Sequence, residues 1–484
     1  MRRGMKVGAW VVVVAATSAA VAARPPVALA FFVILLTQLV WRWPDVALGV
    51  IAAGVLAVRP SLDVFGERRL GLGALALNPA VVFGACVLWA SVVLAVHRAK
   101  MGSKLWPDTS SLRVHLWLFA AYLVGMVSAI RLSGDMGAVT AGREISRVCS
   151  IVGGFLVVVW WVGGDPERAR RGWALLFLGA VPPLMVAAWQ LMTGGGNLEL
   201  AGVNRLQGTL SHPNSFGVYL VPFVLFLIGG IAGRRAARKA MYLVGALSLC
   251  ALILLTYSRT ALLVLVAGLV ALPLLQSKRL GWRALVTTGG LLLALGAIGW
   301  VFGGDLIRER FANLSVGRDA WQAAMMGESE NSFTWRLINW AVLIQMGAAH
   351  PIMGHGAGMT TVLNPLVNPA NGVPFNAHND FVRFFFEGGS LSLACYILYC
   401  VLLCKWALKR ARRVDVSAAP IAYGVVASLL ALTLLSLGTT ELSLNTAILY
   451  ELYAMLALMA VTDLTPGISI SLAVGHRTAS GQPP

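Results

Sequence analysis

Three short stretches of this chain combine polar residue types at spacings that the packing of apolar helices does not require. The first is Arg205-Leu-Gln-Gly-Thr-Leu-Ser-His-Pro-Asn214. Gly208, Pro213 and Asn214 are turn formers, and Ser211 or Asn214 is placed to cap a helix that follows, whose first amides favour an anion. The second is Tyr257-Ser258-Arg259-Thr260, a hairpin between two apolar runs. Two readings of Arg259 stand side by side: it snorkels to lipid phosphates, or it grips the phosphates of a ligand. The third is Asn376-Ala-His-Asn-Asp-Phe-Val-Arg-Phe-Phe-Phe-Glu-Gly-Gly389. With a helix starting near 379, His378 sits near its N-cap, and Arg383 and Glu387 form an i,i+4 pair. Glu387 either orients His378 or only pairs with Arg383. Imidazole is the side chain best suited to accept a proton near neutral pH.

The other histidines offer less. His350-Pro-Ile-Met-Gly-His-Gly-Ala-Gly358 carries the glycines of a tight turn, so His350 and His355 are read as shaping that loop. Acidic ligands are sparse around them, and no metal site is expected. Asn364, Asn368 and Asn371 lie among prolines in Thr360–Phe375, a segment that lines an acceptor cleft or simply forms Asn-Pro turns.

The elements that position these residues follow from composition. Of 484 residues, 58% are hydrophobic and 12% charged, with a mean hydropathy of +0.78. Soluble proteins carry roughly a quarter charged residues, so an ordinary water-facing surface is excluded. The formal charge of +18 is scattered between long apolar runs, which excludes a nucleic-acid surface. The expected fold is an all-α integral membrane protein. Apolar runs near 8–23, 26–41, 45–58, 73–96, 114–130, 148–162, 173–192, 215–232, 240–256, 261–275, 284–302, 386–404, 421–437 and 446–462 are candidate spans. Residues 26–58 are short enough to form a half-depth pair, so 12 to 14 transmembrane helices are expected. The opening MRRGMK and its apolar run resemble a signal peptide and are read as an uncleaved first helix. The six cysteines lie in or beside apolar runs without CxxC spacing and are read as packing residues.

Orientation is read from basic residues in short loops. Arg2, Arg3 and Lys6, the loops near 98–104, 168–171, 234–239 and 278–283, and the run Lys405–Arg413 all fall on one side when the spans alternate. That side is expected to be cytoplasmic, with both termini. All seven lysines lie there, whereas the fourteen basic residues of the opposite face are all arginine. Arginine grips phosphate with a planar fork, and lysine is a hydrated point charge. The chain divides into an N-terminal helix bundle (1–302), a large periplasmic loop (303–385), C-terminal transmembrane helices (386–464) and a polar cytoplasmic tail (465–484). Within the loop, Ser332–Ala349 has amphipathic spacing with Trp335, Ile338, Leu343 and Met346 as apolar anchors, and is expected to lie along the membrane surface.

The motifs R-x-x-G-T-x-x-H-P-N, S-R-T-A, W-R…HPIMGHGAG and H-N-D-F-V-R-F-F-F-E-G-G resemble, in order and spacing, the O-antigen ligase and polymerase superfamily of bacterial envelope glycosyltransferases. The resemblance implies a donor glycan on undecaprenyl diphosphate and an acceptor hydroxyl of lipid A–core oligosaccharide, met at the periplasmic face of the inner membrane. By the same match His378 is the general base, and Arg205 and Arg259 bind the diphosphate and stabilise the charge of the leaving group, with no cofactor or metal called for. Arg143, Arg147, Arg336, His212, Asn214, Asn379 and Glu387 are further candidate substrate contacts. Span count and loop size favour a ligase over a polymerase or a protein O-oligosaccharyltransferase, which share the pattern. A flippase or other transporter is the reading from a different class. It would place charge at mid-membrane in paired halves, whereas here the polar residues gather at one face.

Overall fold

The computed structural model describes residues 25–462 except 66–69, 73–74, 107–108, 197–198, 201–202, 232–235, 281–288, 291–331, 368–371, 373, 415–418, 441–442 and 444. The expected spans at 8–23 and 284–302 and the tail after 464 lie outside the described residues, apart from 289–290.

The chain is helical: α1 (Pro25–Arg42), α2 (Pro44–Ala53), α3 (Pro79–Lys100), α4 (Thr109–Val162), α5 (Pro166–Thr193), α6 (Pro213–Ile231), α7 (Ala236–Leu255), α8 (Arg259–Leu280), α9 (Ser332–Gly347), α10 (Thr360–Leu363), α11 (Asp380–Arg413), α12 (Ala419–Leu435) and α13 (Thr446–Thr462). Two small antiparallel ladders, Leu70–Leu72 with Leu75–Leu77 and Glu199–Leu200 with Val203–Asn204, depart from the all-α expectation without forming a layer. Among the described residues, eight helices are long and apolar enough to cross a membrane, and three shorter apolar helices accompany them. The result is an all-helical membrane protein.

Local chemistry starts these helices where the sequence changes type. Asn78 accepts the amide of Ala80 at 2.8 Å ahead of Pro79, and Asp165 accepts that of Glu167 at 2.8 Å ahead of Pro166. Each satisfies a donor that a helix N-terminus leaves open, with proline at the position that needs none. α13 is buried on every side from Ala447 to Val461, so it is the centre of the bundle. α5 and α7 instead expose large apolar side chains, among them Leu178, Met185, Met192, Met241 and Val244, as lipid-facing helices do.

Two helices are broken, and the breaks build the site. In α4, Tyr122 and Glu144 would stand about 33 Å apart on a straight helix. Both nevertheless meet Arg383, the ring at 5.9 Å and the carboxylate at 2.6 Å. The helix folds back on itself at Gly134 (φ 54°, ψ −130°), turning two predicted spans into an antiparallel pair. In α11 the break is Gly389 (φ 65°, ψ −165°). Past it, the amides of Ser390 and Leu391 turn to the carbonyls of Pro351 and Ile352 (2.8 and 3.3 Å). The carbonyls left behind, on Phe386 and Glu387, accept the amides of His355 and Gly356 (2.8 and 2.7 Å). Two helical bonds are thus replaced by four to the His350–Gly358 loop. A Cβ on Gly389 would sit 2.2 Å from the carbonyl carbon of Ile352, and one on Gly354 2.5 Å from the amide of Gly388. Only glycines at both positions let the two backbones meet.

The amphipathic helix corrects one expectation. The anchors of α9 do not face outward to a membrane surface. Leu343 and Met346 pack on Met359, Ala377, Val382 and Phe386, while Trp335 and Ile338 pack on Leu366 and Phe375. The apolar stripe is covered by the protein's own loop and by the first turns of α11.

Candidate active site

The Arg205–Asn214 segment is tied down at several points. Gln190 of α5 accepts the amides of Gln207 and Gly208 through Oε1 (3.1 and 3.0 Å). Arg205 donates from Nε to the carbonyl of Thr256 and from an Nη to Oδ1 of Asn214, both at 2.8 Å. The expected cap of the next helix is neither Ser211 nor Asn214. His212 takes that place, its Nδ1 accepting the amide of Asn214 at 3.0 Å. That bond needs an unprotonated Nδ1, so His212 is held neutral with its remaining proton on Nε2.

The same carbonyl of Thr256 opens the tight turn carrying Arg259. Tyr257 has a positive φ of 48°, and Ser258 Oγ caps α8 by accepting the amide of Ala261 at 3.1 Å. Arg259 is the first residue of α8, three positions beyond the carbonyl that Arg205 grips. The Arg205 side chain is thus anchored to the turn that leads into Arg259.

His378 lies just outside α11, whose cap is Asn379: Oδ1 accepts the amide of Val382 at 3.1 Å, and Nδ2 donates to the carbonyl of Leu437 at 2.7 Å. His378 has a φ of 49° and, with Tyr257, is one of the two non-glycine residues at positive φ among the described residues. Such strain persists only where the surroundings over-determine it, and it gathers at functional sites. The surroundings are plain. Asn339 and Trp340 of α9 donate to the carbonyls of Asn376 and Ala377 (both 2.8 Å), fixing the two residues before His378. The indole of Trp335 stands edge-on to the imidazole at 5.7 Å. Arg336 is on the same face of α9 and donates to the carbonyl of Gly438 at 3.0 Å.

Electrostatics join these pieces. Burial, then Arg336 and His212, push the His378 imidazole down to about 4. Burial, then Arg205 and Arg336, push His212 down to about 4 as well. Among the described residues, the neighbouring groups that shift the two rings act as positive charges. Both imidazoles are neutral at physiological pH, inside a field that favours an anion. Arg205, His212, His378 and Arg336 thus belong to one cluster, with Asn214 bonded to Arg205.

Four of the predicted contacts lie elsewhere or are occupied. Arg143 is exposed on α4. Arg147 pairs with Glu144, which also pairs with Arg383 at 2.6 Å. Glu387 accepts from Arg383 Nε at 3.1 Å, the ion pair that is one of the two alternatives posed for it, and from Thr360 at 2.8 Å. Asn379 has both ends of its amide engaged in capping and in the bond to Leu437. Asp380 completes this second cluster through Ser443 and Tyr396. His350 and His355 shape the loop as expected: His355 stacks on Phe386 at 4.7 Å and its Nε2 meets the carbonyl of Met346 at 2.9 Å. Asn364 holds that loop from within, donating to Asn339 and to the carbonyl of Phe375, while Asn368 and Asn371 lie outside the described residues.

Residues 243–397 match the family model for O-Antigen ligase. The O-antigen ligase resemblance drawn from the motifs is borne out over this segment, which contains Arg259, Arg336, the His350–Gly358 loop and His378. Arg205 and His212 precede it. No curated protein matches the chain. Of the cluster just described, the matched segment supplies Arg336 on α9 and His378 ahead of α11.

Proposed function

We propose that this protein is an O-antigen ligase of the bacterial inner membrane. It moves a polysaccharide from undecaprenyl diphosphate to a sugar hydroxyl of lipid A–core oligosaccharide, at the periplasmic face. The observation that carries the reading is His378: at positive φ, neutral beside the cation Arg336, and placed by a helix of the family-matched segment that holds the two residues before it. In this reading Arg205 and Arg259 hold the diphosphate, and Arg336, His212 and Asn214 add contacts around it. His378 takes the proton of the acceptor hydroxyl as its oxygen bonds to the anomeric carbon. The bond from that carbon to the phosphate oxygen breaks, and undecaprenyl diphosphate leaves with the electron pair. A single displacement inverts the anomeric centre. Fixed guanidinium forks favour the developing charge on the leaving diphosphate, each by a few kcal/mol in analogy with oxyanion donors.

Donor binding also adjusts the base. An imidazole at about 4 is unprotonated but weakly basic. A seated diphosphate brings negative charge against Arg336 and Arg205 and raises the imidazole toward the working pH, where a general base is most effective. His378 therefore becomes a competent base when the donor is in place.

Reconstitution in liposomes with purified undecaprenyl-diphosphate glycan, offered one acceptor at a time, tests the function. Transfer to lipid A–core supports it. Chain growth without that acceptor, transfer to protein only, or transbilayer movement without transfer would each replace it.

A further inference from the structure

A cavity away from His378 lies at the other end of the bundle. It measures about 560 Å³ and opens between α4 and α11. That is within the range of ligand-sized sites, roughly 300–1,000 Å³. Val114, Leu116, Ala120 and Leu402 make its walls apolar, and Arg113, Lys405 and Lys409 place three cations at its rim. Lys405 and Lys409 are one helical turn apart, a spacing at which like charges repel. None of the three forms an ion pair among the described residues. The indole Nε1 of Trp406, another lining residue, is buried with no acceptor among the described residues.

The cavity also has a definite depth. Ser390, just past the helix break, and Lys409 are nineteen residues apart, about 28 Å along a helix. That is close to the roughly 30 Å hydrocarbon thickness of a bilayer. Cation–indole pairs mark the same end: Arg98 on Trp160, Lys100 on Trp41 and Arg410 on Trp406, at 5.4, 4.8 and 6.0 Å. Tryptophan with basic residues is the composition of a headgroup boundary.

We infer that this cavity binds an anionic phospholipid of the leaflet opposite the His378 site, its phosphate among Arg113, Lys405 and Lys409 and its acyl chains along Leu116, Ala120 and Leu402. A free anion would leave the apolar walls uncovered. A zwitterionic headgroup would bring its own cation against three others. The inference does not depend on the proposed transfer reaction.

The full-length protein in neutral detergent, titrated with lipid and observed by native mass spectrometry, provides the test. Phosphatidylglycerol should be retained at least tenfold better than phosphatidylcholine, and inorganic phosphate should not displace it. Arg113→Gln, Lys405→Gln and Lys409→Gln alter exposed side chains, and each should weaken phosphatidylglycerol about fivefold. Lys405→Arg should restore binding lost in Lys405→Gln. Equal retention of the two lipids, an unaffected triple variant, or displacement by phosphate alone would each overturn the assignment.

Discussion

Two polar clusters sit within a few turns of each other around the start of α11, and they are built on opposite plans. Around Arg383 charges of both signs meet: Glu144 and Glu387 face the guanidinium, Arg147 faces Glu144, and Ser443 links Arg383 to Asp380. Around His378 the charges acting on the imidazole are, among the described residues, of one sign, and Arg205 and Arg336 reach neutral oxygens of Thr256, Asn214 and Gly438. The first cluster joins α4, α11 and the turn before α13. The second is organised by neutral contacts while its field still favours an anion. Opposite charges in contact tie helices together; positive charge held rigidly by neutral oxygens is how a protein prepares for an anionic ligand.

That contrast can be broken or sharpened by substitution. The largest effect is expected for His378→Ala, which should lower glycan transfer by about 10²–10⁴-fold with thermal unfolding little changed. Wild-type transfer by this variant would remove the base from the mechanism. Arg383→Met should do the reverse. By leaving buried carboxylates short of their partner it costs about 3–5 kcal/mol, read as loss of folded protein in fluorescence-detected gel filtration on heating. Next, Arg205→Lys and Arg259→Lys should each reduce transfer by about 10²-fold, because a point charge does not reproduce the fork. Arg259→Lys should melt as wild type, whereas Arg205→Lys, which disturbs the bonds to Thr256 and Asn214, should melt somewhat lower.

Smaller effects follow from pH and packing. In the folded protein His212 and His378 are down at about 4, against about 6.5 when unfolded. On acidification the unfolded chain therefore binds protons first, and stability should fall as pH drops from about 6.5 to about 4. A His212→Asn, His378→Asn double variant should show a flatter melting profile across that window. Arg336→Gln removes a cation that depresses His378, so the imidazole titration followed by NMR should move upward. The smallest change is expected for His355→Phe. It keeps the stack on Phe386 and loses only the bond to Met346, so melting should shift by no more than about 1 kcal/mol.

Which parts of this arrangement were readable in advance follows from how local each signal is. The helix starting at 380 and the Arg383–Glu387 pair are statements about neighbours along the chain, and both held. Apolar periodicity found the helix at 332–347 but not its destination, since a stripe records that a face is buried and not what buries it. Glu144 meets Arg383 across 239 positions, and Asn339 reaches Asn376 through a contact that no spacing announces. For Asn339 a signal did exist. Trp335, Arg336, Asn339 and Trp340 recur at i, i+1, i+4 and i+5, a polar and aromatic face beside the apolar one. His212 as a cap was hidden because imidazole is not among the usual capping types.

The four hydrogen bonds exchanged at Gly389 also decide what in this protein is free to swing. Residues 350–357 and 386–391 are stitched through their main chains, so they travel as one block, carrying the opening turns of α11 and the segment before them. A flap hinged there would have to tear the whole seam at once. In the proposed reaction, room for the glycan must therefore come from the other flank of the imidazole, where Thr360 is held by Glu387, Asn364 by Asn339 and Phe375 by Leu366.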